Sequence, residues 1–209
     1  HSFHNTSSHI LMVGYNRRFA PHIKKIKELL KKENNPKSFT MSVNSGFIPS
    51  DNWTQKRNIG GGRIIGEVCH FIDLLRFLCG YSIEGWNVVK MDSESNDTIS
   101  IQLTFSDGSI GVIQYYSNGH SAVPKEHLEI YSQGKILKLD NFKKLTGYGW
   151  SGFKKMNLWN QDKGHTHCVS SFVNSINRNL SSPIPFEEII EVSRLSIEID
   201  NVVSSIAEN

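Results

Sequence analysis

Cysteine is scarce. Cys69, Cys79 and Cys168 are the three in 209 residues, and their odd number and irregular spacing exclude a disulfide framework. Such usage places the chain in a reducing compartment, the cytoplasm. Excess charge is also lacking. Twenty-three basic and 20 acidic residues leave a dispersed net charge of +3, which is no footprint for nucleic acid. No apolar run approaches the roughly 20 residues that a membrane-spanning helix needs. The first ten residues are polar and rich in His and Ser, without the apolar region of a signal peptide. Internal repeats and low-complexity tracts are absent. What remains, with 38% apolar residues, is a globular chain long enough for one large domain or two small ones.

Against this plain background one segment stands out. Gly60-Gly61-Gly62 opens an apolar helical pattern over 62–79, with Ile64, Val68, Ile72, Leu75 and Leu78 inward and Gly80 as its C-cap. The same helix carries Glu67, His70 and Asp73 at spacings of three, the distance of neighbours on a helix surface. Packing gives no reason for two carboxylates and an imidazole in one row. A site that moves a proton does.

The rest of the chain reads as an orderly series. Ile10 to Tyr15 has the length and apolarity of a strand. Pro21 begins a helix with Ile23, Ile26, Leu29 and Leu30 on its apolar face, and Asn34-Asn35-Pro36 stops it. Residues 38–44 alternate as a half-buried strand. Alternation resumes from Ile99 to Phe105 and, after an Asp107-Gly108 turn, from Ile110 to Gln114. Leu128 to Leu139, with a Gln133-Gly134 turn, reads as a second hairpin. Residues 141–164 read as loop or edge strand. Two helices follow. One spans about 165–179, with Val169, Phe172, Val173, Ile176 and Leu180 expected inward. The other begins after Pro183 and Pro185, with an inner stripe from Phe186 through Ile189, Ile190, Val192, Leu195, Ile199, Val202 and Val203 to Ile206. Strands grouped as hairpins predict an α+β fold: an open, mostly antiparallel sheet with helices packed on one face.

Two motifs together resemble the glucose–fructose oxidoreductase/inositol dehydrogenase (Gfo/Idh/MocA) family. Met12-Val13-Gly14-Tyr15-Asn16-Arg17-Arg18-Phe19-Ala20-Pro21 is similar to the crossing from that family's dinucleotide-binding domain into its second domain. The glycine triplet with His70-Phe71-Ile72-Asp73-Leu74-Leu75 is similar to its G-G-G…H-x-x-D-L signature. Pro183, Pro185 and Phe186-Glu187-Glu188 fit its C-terminus. The wording from Gly60 to Asp73 resembles most the branch of large two-module oxidoreductases from bacterial surface-polysaccharide clusters. The resemblance implies a missing Rossmann domain, for no G-x-G-x-x-G joins a strand to a helix and the family's catalytic lysine has no counterpart. Residues 1–15 would then be a lead-in and the last strand of that domain, and 16–209 the substrate-binding and oligomerisation domain.

By the same resemblance the chain is half of an NAD- or NADP-dependent oxidoreductase acting on a sugar or nucleotide-sugar hydroxyl. It is expected to be inactive alone and to join copies through its sheet. His70 would be the general acid/base, with Glu67 beside it. Many family members carry an aspartate four residues before the histidine, where this chain has Gly66; Glu67 would substitute in part. Arg17, Asn16 and Arg18 would lie near the substrate, with Asp73 and Trp53. Gly61 and Gly62 would approach the cofactor, and no metal is expected. A non-catalytic sugar-binding or assembly module is the alternative.

Overall fold

The structure is a computed structural model that describes residues 10–49, 51–56, 58–93 and 97–207. Residues 1–9, the expected lead-in, lie outside the described residues. After a 3-10 turn at Asn16–Phe19, helix α1 (Pro21–Leu30) starts on its proline, whose fixed φ and missing N–H suit a first helical turn. Strand β1 (Ser38–Asn44) follows, then a short 3-10 turn at Trp53–Gln55. Helix α2 begins with a π-helical stretch, Ile64–Val68, and continues as an α-helix over Cys69–Cys79. Strands β2 (Ile83–Lys90), β3 (Ile99–Phe105), β4 (Ile110–Tyr116), β5 (Glu126–Ser132), β6 (Lys135–Asp140), β7 (Lys144–Tyr148) and β8 (Lys155–Asn157) come next. Helices α3 (His165–Asn177) and α4 (Phe186–Ala207) complete the order.

The strands form one eight-stranded sheet in the order β2-β3-β4-β1-β5-β6-β7-β8. Every pairing is antiparallel except β1 with β4, which lies at the centre. The expected α+β class and mostly antiparallel sheet are therefore present. One face buries Phe39, Met41, Ile101, Leu103, Ile113, Leu128 and Ile130 beneath the helices. The other carries Thr40, Gln102, Tyr116, Tyr131 and Lys138, all exposed. Gly80, with φ +85°, ends α2 as expected, and its N–H donates to Arg76 O. Lys27 Nζ on α1 donates to Phe77 O at 2.5 Å and Leu78 O at 3.3 Å, a cation where the helix dipole is negative.

Three expectations are corrected. Ile10 to Tyr15 is not a strand. A strand needs a partner's backbone, and here the segment makes tight local bonds, Tyr15 N–H to Val13 O and Asn16 N–H to Gly14 O. It is docked by side chains: Tyr15 is buried, Met12 and Val13 pack on the core, and Ser182 Oγ donates to Leu11 O. The apolar stripe of α3 points outward. Val169, Val173, Ile176 and Leu180 are 46–63% exposed, and the helix buries Cys168 and Ser175 instead. In α4 the stripe Ile189, Val192, Leu195, Ile199 and Val203 is buried as expected, but Val202 is exposed; the side chain of Ile206 lies outside the described residues. No helix among the described residues is long and apolar enough to cross a membrane.

Candidate functional site

The helix that opens on the glycine triplet owes its start to backbone geometry. Gly61 and Gly62 both have φ +75°, the left-handed region that glycine enters without strain. A Cβ on Gly60 would lie 2.6 Å from Thr54 Cα and from Trp53 O. The loop bearing Trp53 is thus seated on the triplet. Trp53 itself is 63% exposed.

Glu67, His70 and Asp73 do not share one open row. The π-helical stretch intervenes, and each side chain has its own surroundings. Glu67 accepts the Tyr115 hydroxyl on Oε2 and pairs with Lys125 on Oε1; Arg63 Nη2 lies 3.5 Å from Oε2. These partners outweigh burial and hold its carboxyl below the ordinary range. Glu67 is therefore an ionised, clamped carboxylate.

Asp73 faces inward. Its carboxylate receives Arg18 through Nε at 3.0 Å and through Nη2, while Arg18 Nη1 donates to Glu188 at 2.8 Å. The Asp73 side chain has no exposed surface and that of Arg18 is 3% exposed. Burial pushes the Asp73 carboxyl up against the pull of Arg18. Both ends of this pair are used up within the protein, so neither residue reaches a ligand in this arrangement.

Arg17 is placed differently. Its Nε and Nη2 each donate to Glu126 at 2.9 Å, and the guanidinium lies 4.6 Å above the Phe71 ring. Glu126 is fully buried and also receives Lys163 Nζ at 2.6 Å. Its carboxyl is held below the ordinary range by these cations, against burial. Asn16 Nδ2 donates to Lys163 O at 2.7 Å, which ties the entry segment to the start of α3.

His70 sits where these groups meet. Tyr15 packs on its ring edge-to-face at 5.8 Å between centroids. Nδ1 is sealed from solvent without a hydrogen-bond partner. Burial, with repulsion from Arg17, lowers the ring's pKa from 6.5 to about 4, while Glu67 and Glu126 pull the other way. The imidazole is thus neutral at pH 7. This setting has a consequence for stability. Between pH 6.5 and about 4 the unfolded chain binds a proton that the folded ring refuses, so stability falls as pH drops through that window. Buried His22 adds to the same slope. Below the ordinary carboxylate range, protonation of Glu67 and Glu126 removes the stability gained from their low folded pKa values. Asp73, whose carboxyl burial pushes up to about 6, slopes the opposite way in part of this window. The His70 contribution is therefore the difference between the thermal melts of the unaltered chain and of His70→Phe across pH 7 to 4: the variant should lose less stability on acidification.

Sequence reasoning missed Tyr115, Lys125, Glu126, Lys163 and Arg63. Glu126 left a signal, a charge in register with the inward Leu128 and Ile130 of β5. Arg63 Nε donates to Tyr115 Oη at 2.6 Å and Nη1 to Gly46 O at 2.7 Å, contacts 52 and 17 residues away in sequence. Among the described residues no three His, Cys, Asp or Glu side chains converge as a metal set, and His165, His167 and Cys168 form none with Cys69 and His70.

Comparison with known proteins gives this geometry a class. Residues 23–136 match the family model for the GFO/IDH/MocA C-terminal domain, and the chain belongs to that family. It is 28% identical over 148 residues to the myo-inositol 2-dehydrogenase of Thermotoga maritima, covering 66% of this chain and 43% of that protein. Among solved structures, the fold is similar to the dehydrogenase MviM of Clostridium difficile, with TM-score 0.75 and 23% identity over 96% of this chain and 65% of that one. It is similar also to levoglucosan dehydrogenase in complex with NADH and levoglucosan, with TM-score 0.77 and 17% identity over 96% and 66%. The UDP-N-acetylglucosamine 3-dehydrogenase GnnA of Acidithiobacillus ferrooxidans gives TM-score 0.73 and 15% identity over 94% and 62%. The chain thus spans less than half of the curated relative and about two thirds of these structures.

Proposed function

We propose that this chain is the substrate-binding and assembly half of an NAD(P)-dependent oxidoreductase acting on a sugar or nucleotide-sugar hydroxyl. The observation that carries it is His70: a neutral imidazole with an unpartnered Nδ1, set among Arg17, Glu67 and Glu126. A neutral ring is the form that takes a proton from a hydroxyl. The ionised Glu67 and Glu126 would stabilise the imidazolium that results. Lys125, about one-third exposed, stands on Glu67 as a donor for sugar oxygens. Trp53 remains a substrate residue in this reading, and Asn16 and Arg17 do so if they trade their bonds to Lys163 O and Glu126 for ligand ones; Arg18 and Asp73 serve by fixing the entry segment against α2. The test is the turnover of a His70→Ala variant of the complete polypeptide.

The described residues do not by themselves build a dinucleotide site. Gly61 and Gly62 offer open backbone, and no atom lies within 4 Å of a Cβ placed on Gly62. We assign them the cofactor-facing edge, with NAD or NADP held mainly by a Rossmann domain outside this chain. When bound, the nicotinamide would accept or supply the hydride. The placement among large two-module oxidoreductases of surface-polysaccharide clusters rests on the wording Gly60 to Asp73 and belongs to the same proposal. A cytoplasmic location is supported by three free thiols.

The outward stripe of α3 supports a seat for that Rossmann domain. It begins near the N-terminus of α3 and ends at Leu180, two residues from the Ser182 that holds Leu11. Half-exposed Val173 can take a charge without harm to the isolated chain, so Val173→Glu should change this chain's stability by no more than about 0.5 kcal/mol. In the complete polypeptide the same change should speed proteolysis between the domains. The bare sheet face, with Tyr116, Tyr131 and Tyr148 exposed, is the surface through which copies of the chain would join. A second reading, a non-catalytic binding or assembly module, is favoured by one observation: Glu67, beside Gly66, is clamped by Lys125 and Tyr115.

A further inference from the structure

Helix α2 departs from α geometry one turn before His70. Over Ile64–Val68 it is π-helical, and such widened turns recur at functional sites. In an α-helix the Cys69 N–H would bond to Ile65 O, four residues back. Here it is directed at Ile64 O, five residues back, and at Glu67 O, so Ile65 O is not bonded by its usual α-helical donor. The Cys69 thiol supplies the replacement: Sγ donates to Ile65 O at 3.0 Å. A carbonyl that gives up its α-helical donor gains from such a replacement, since each backbone acceptor kept from water needs a partner.

We propose that Cys69 is a positioning residue for His70: its thiol caps the carbonyl freed by the π turn and so fixes how the next residue's imidazole is presented. The functional meaning of this device rests on the role given to His70 above, but the geometry does not. The competing description is a plain packing thiol, for Cys69 also lies against the core. A packing thiol could become alanine without effect on His70. Charge does not confuse the distinction, because burial pushes the Cys69 thiol up to about 12 and it stays neutral while His70 titrates.

The test is an NMR titration of the His70 imidazole in this 209-residue chain. The unaltered chain should titrate near 4. Cys69→Ala should raise that value by about one unit or more as the ring leaves its sealed setting. Cys69→Ser, which keeps a donor at the same place, should stay near the unaltered value. Cys79→Ala, a buried thiol elsewhere, should leave His70 unmoved. Where Cys69→Ala fails to fold, Cys69→Val, which keeps the bulk but lacks the donor, takes its place with the same expected shift. A His70 titration unchanged in the donor-free variant, or shifted as far by serine as by alanine, overturns the proposal. This outcome is separable from the function. Loss of turnover in His70→Ala with no shift in Cys69→Ala would keep the oxidoreductase reading and remove Cys69 from it.

Discussion

His70→Ala in the complete polypeptide should lower turnover by about 10²–10⁴-fold, the usual contribution of a positioned proton-transfer group. The Michaelis constant should change little, because the ring's part is in moving a proton and not in holding the sugar. The structure gives the prediction two companions. The variant should fold normally, since His70 is half-buried and makes no hydrogen bond through Nδ1. Its acid stability between pH 6.5 and 4 should improve, because the ring that refuses a proton is gone. A kcat that stays within a few fold of the unaltered enzyme would remove His70 from the chemistry and favour the assembly-module reading.

The second large effect is expected at Arg18. Arg18→Ala leaves the enclosed Asp73 carboxylate without its ion-pair partner and strips Glu188 of its 2.8 Å partner. Breaking a buried ion pair in this one-sided way costs about 3–5 kcal/mol. For a chain of this size that is a fall of roughly 6–20 °C in the melting temperature. The double variant Arg18→Met, Asp73→Leu should recover much of the loss, because no buried charge is then left alone. Were Arg18 instead a substrate contact, Arg18→Ala would leave the melting temperature in place and raise the Michaelis constant. Differential scanning calorimetry of the three chains separates the cases.

Much of the fold was legible because it is local. The alternation in β1, β3 and β4, the Asp107-Gly108 turn and the C-cap at Gly80 are each carried by residues a few positions apart. The site was legible only in part. Glu67, His70 and Asp73 are evenly spaced in sequence, but their spacing says nothing of Arg18, 55 residues from Asp73, or of Tyr115, 48 residues from Glu67. Those partners turn two of the three side chains into ion-paired groups and leave the third with an orphaned ring nitrogen. The apolar run from Ile10 to Tyr15 reads as a strand because strands and buried coils share composition; what tells them apart is a neighbouring backbone. In α3 the stripe Val169, Val173, Ile176 and Leu180 was visible as a pattern. A pattern shows which residues share a face and not what lies against it.

In the proposed function the proton and hydride chemistry would both depend on a dinucleotide held by a domain joined to this one. The measurement that bears most directly on this is made on the complete polypeptide, carried upstream through the dinucleotide-binding domain that the proposal expects. Any retained nicotinamide is identified by mass spectrometry, and its absorbance is followed as sugars and nucleotide sugars are added. A bound NAD or NADP that changes redox state with one of them is the predicted result. A polypeptide with neither bound nicotinamide nor a lysine-bearing Rossmann domain would contradict it, and His70 would then be a binding or structural residue.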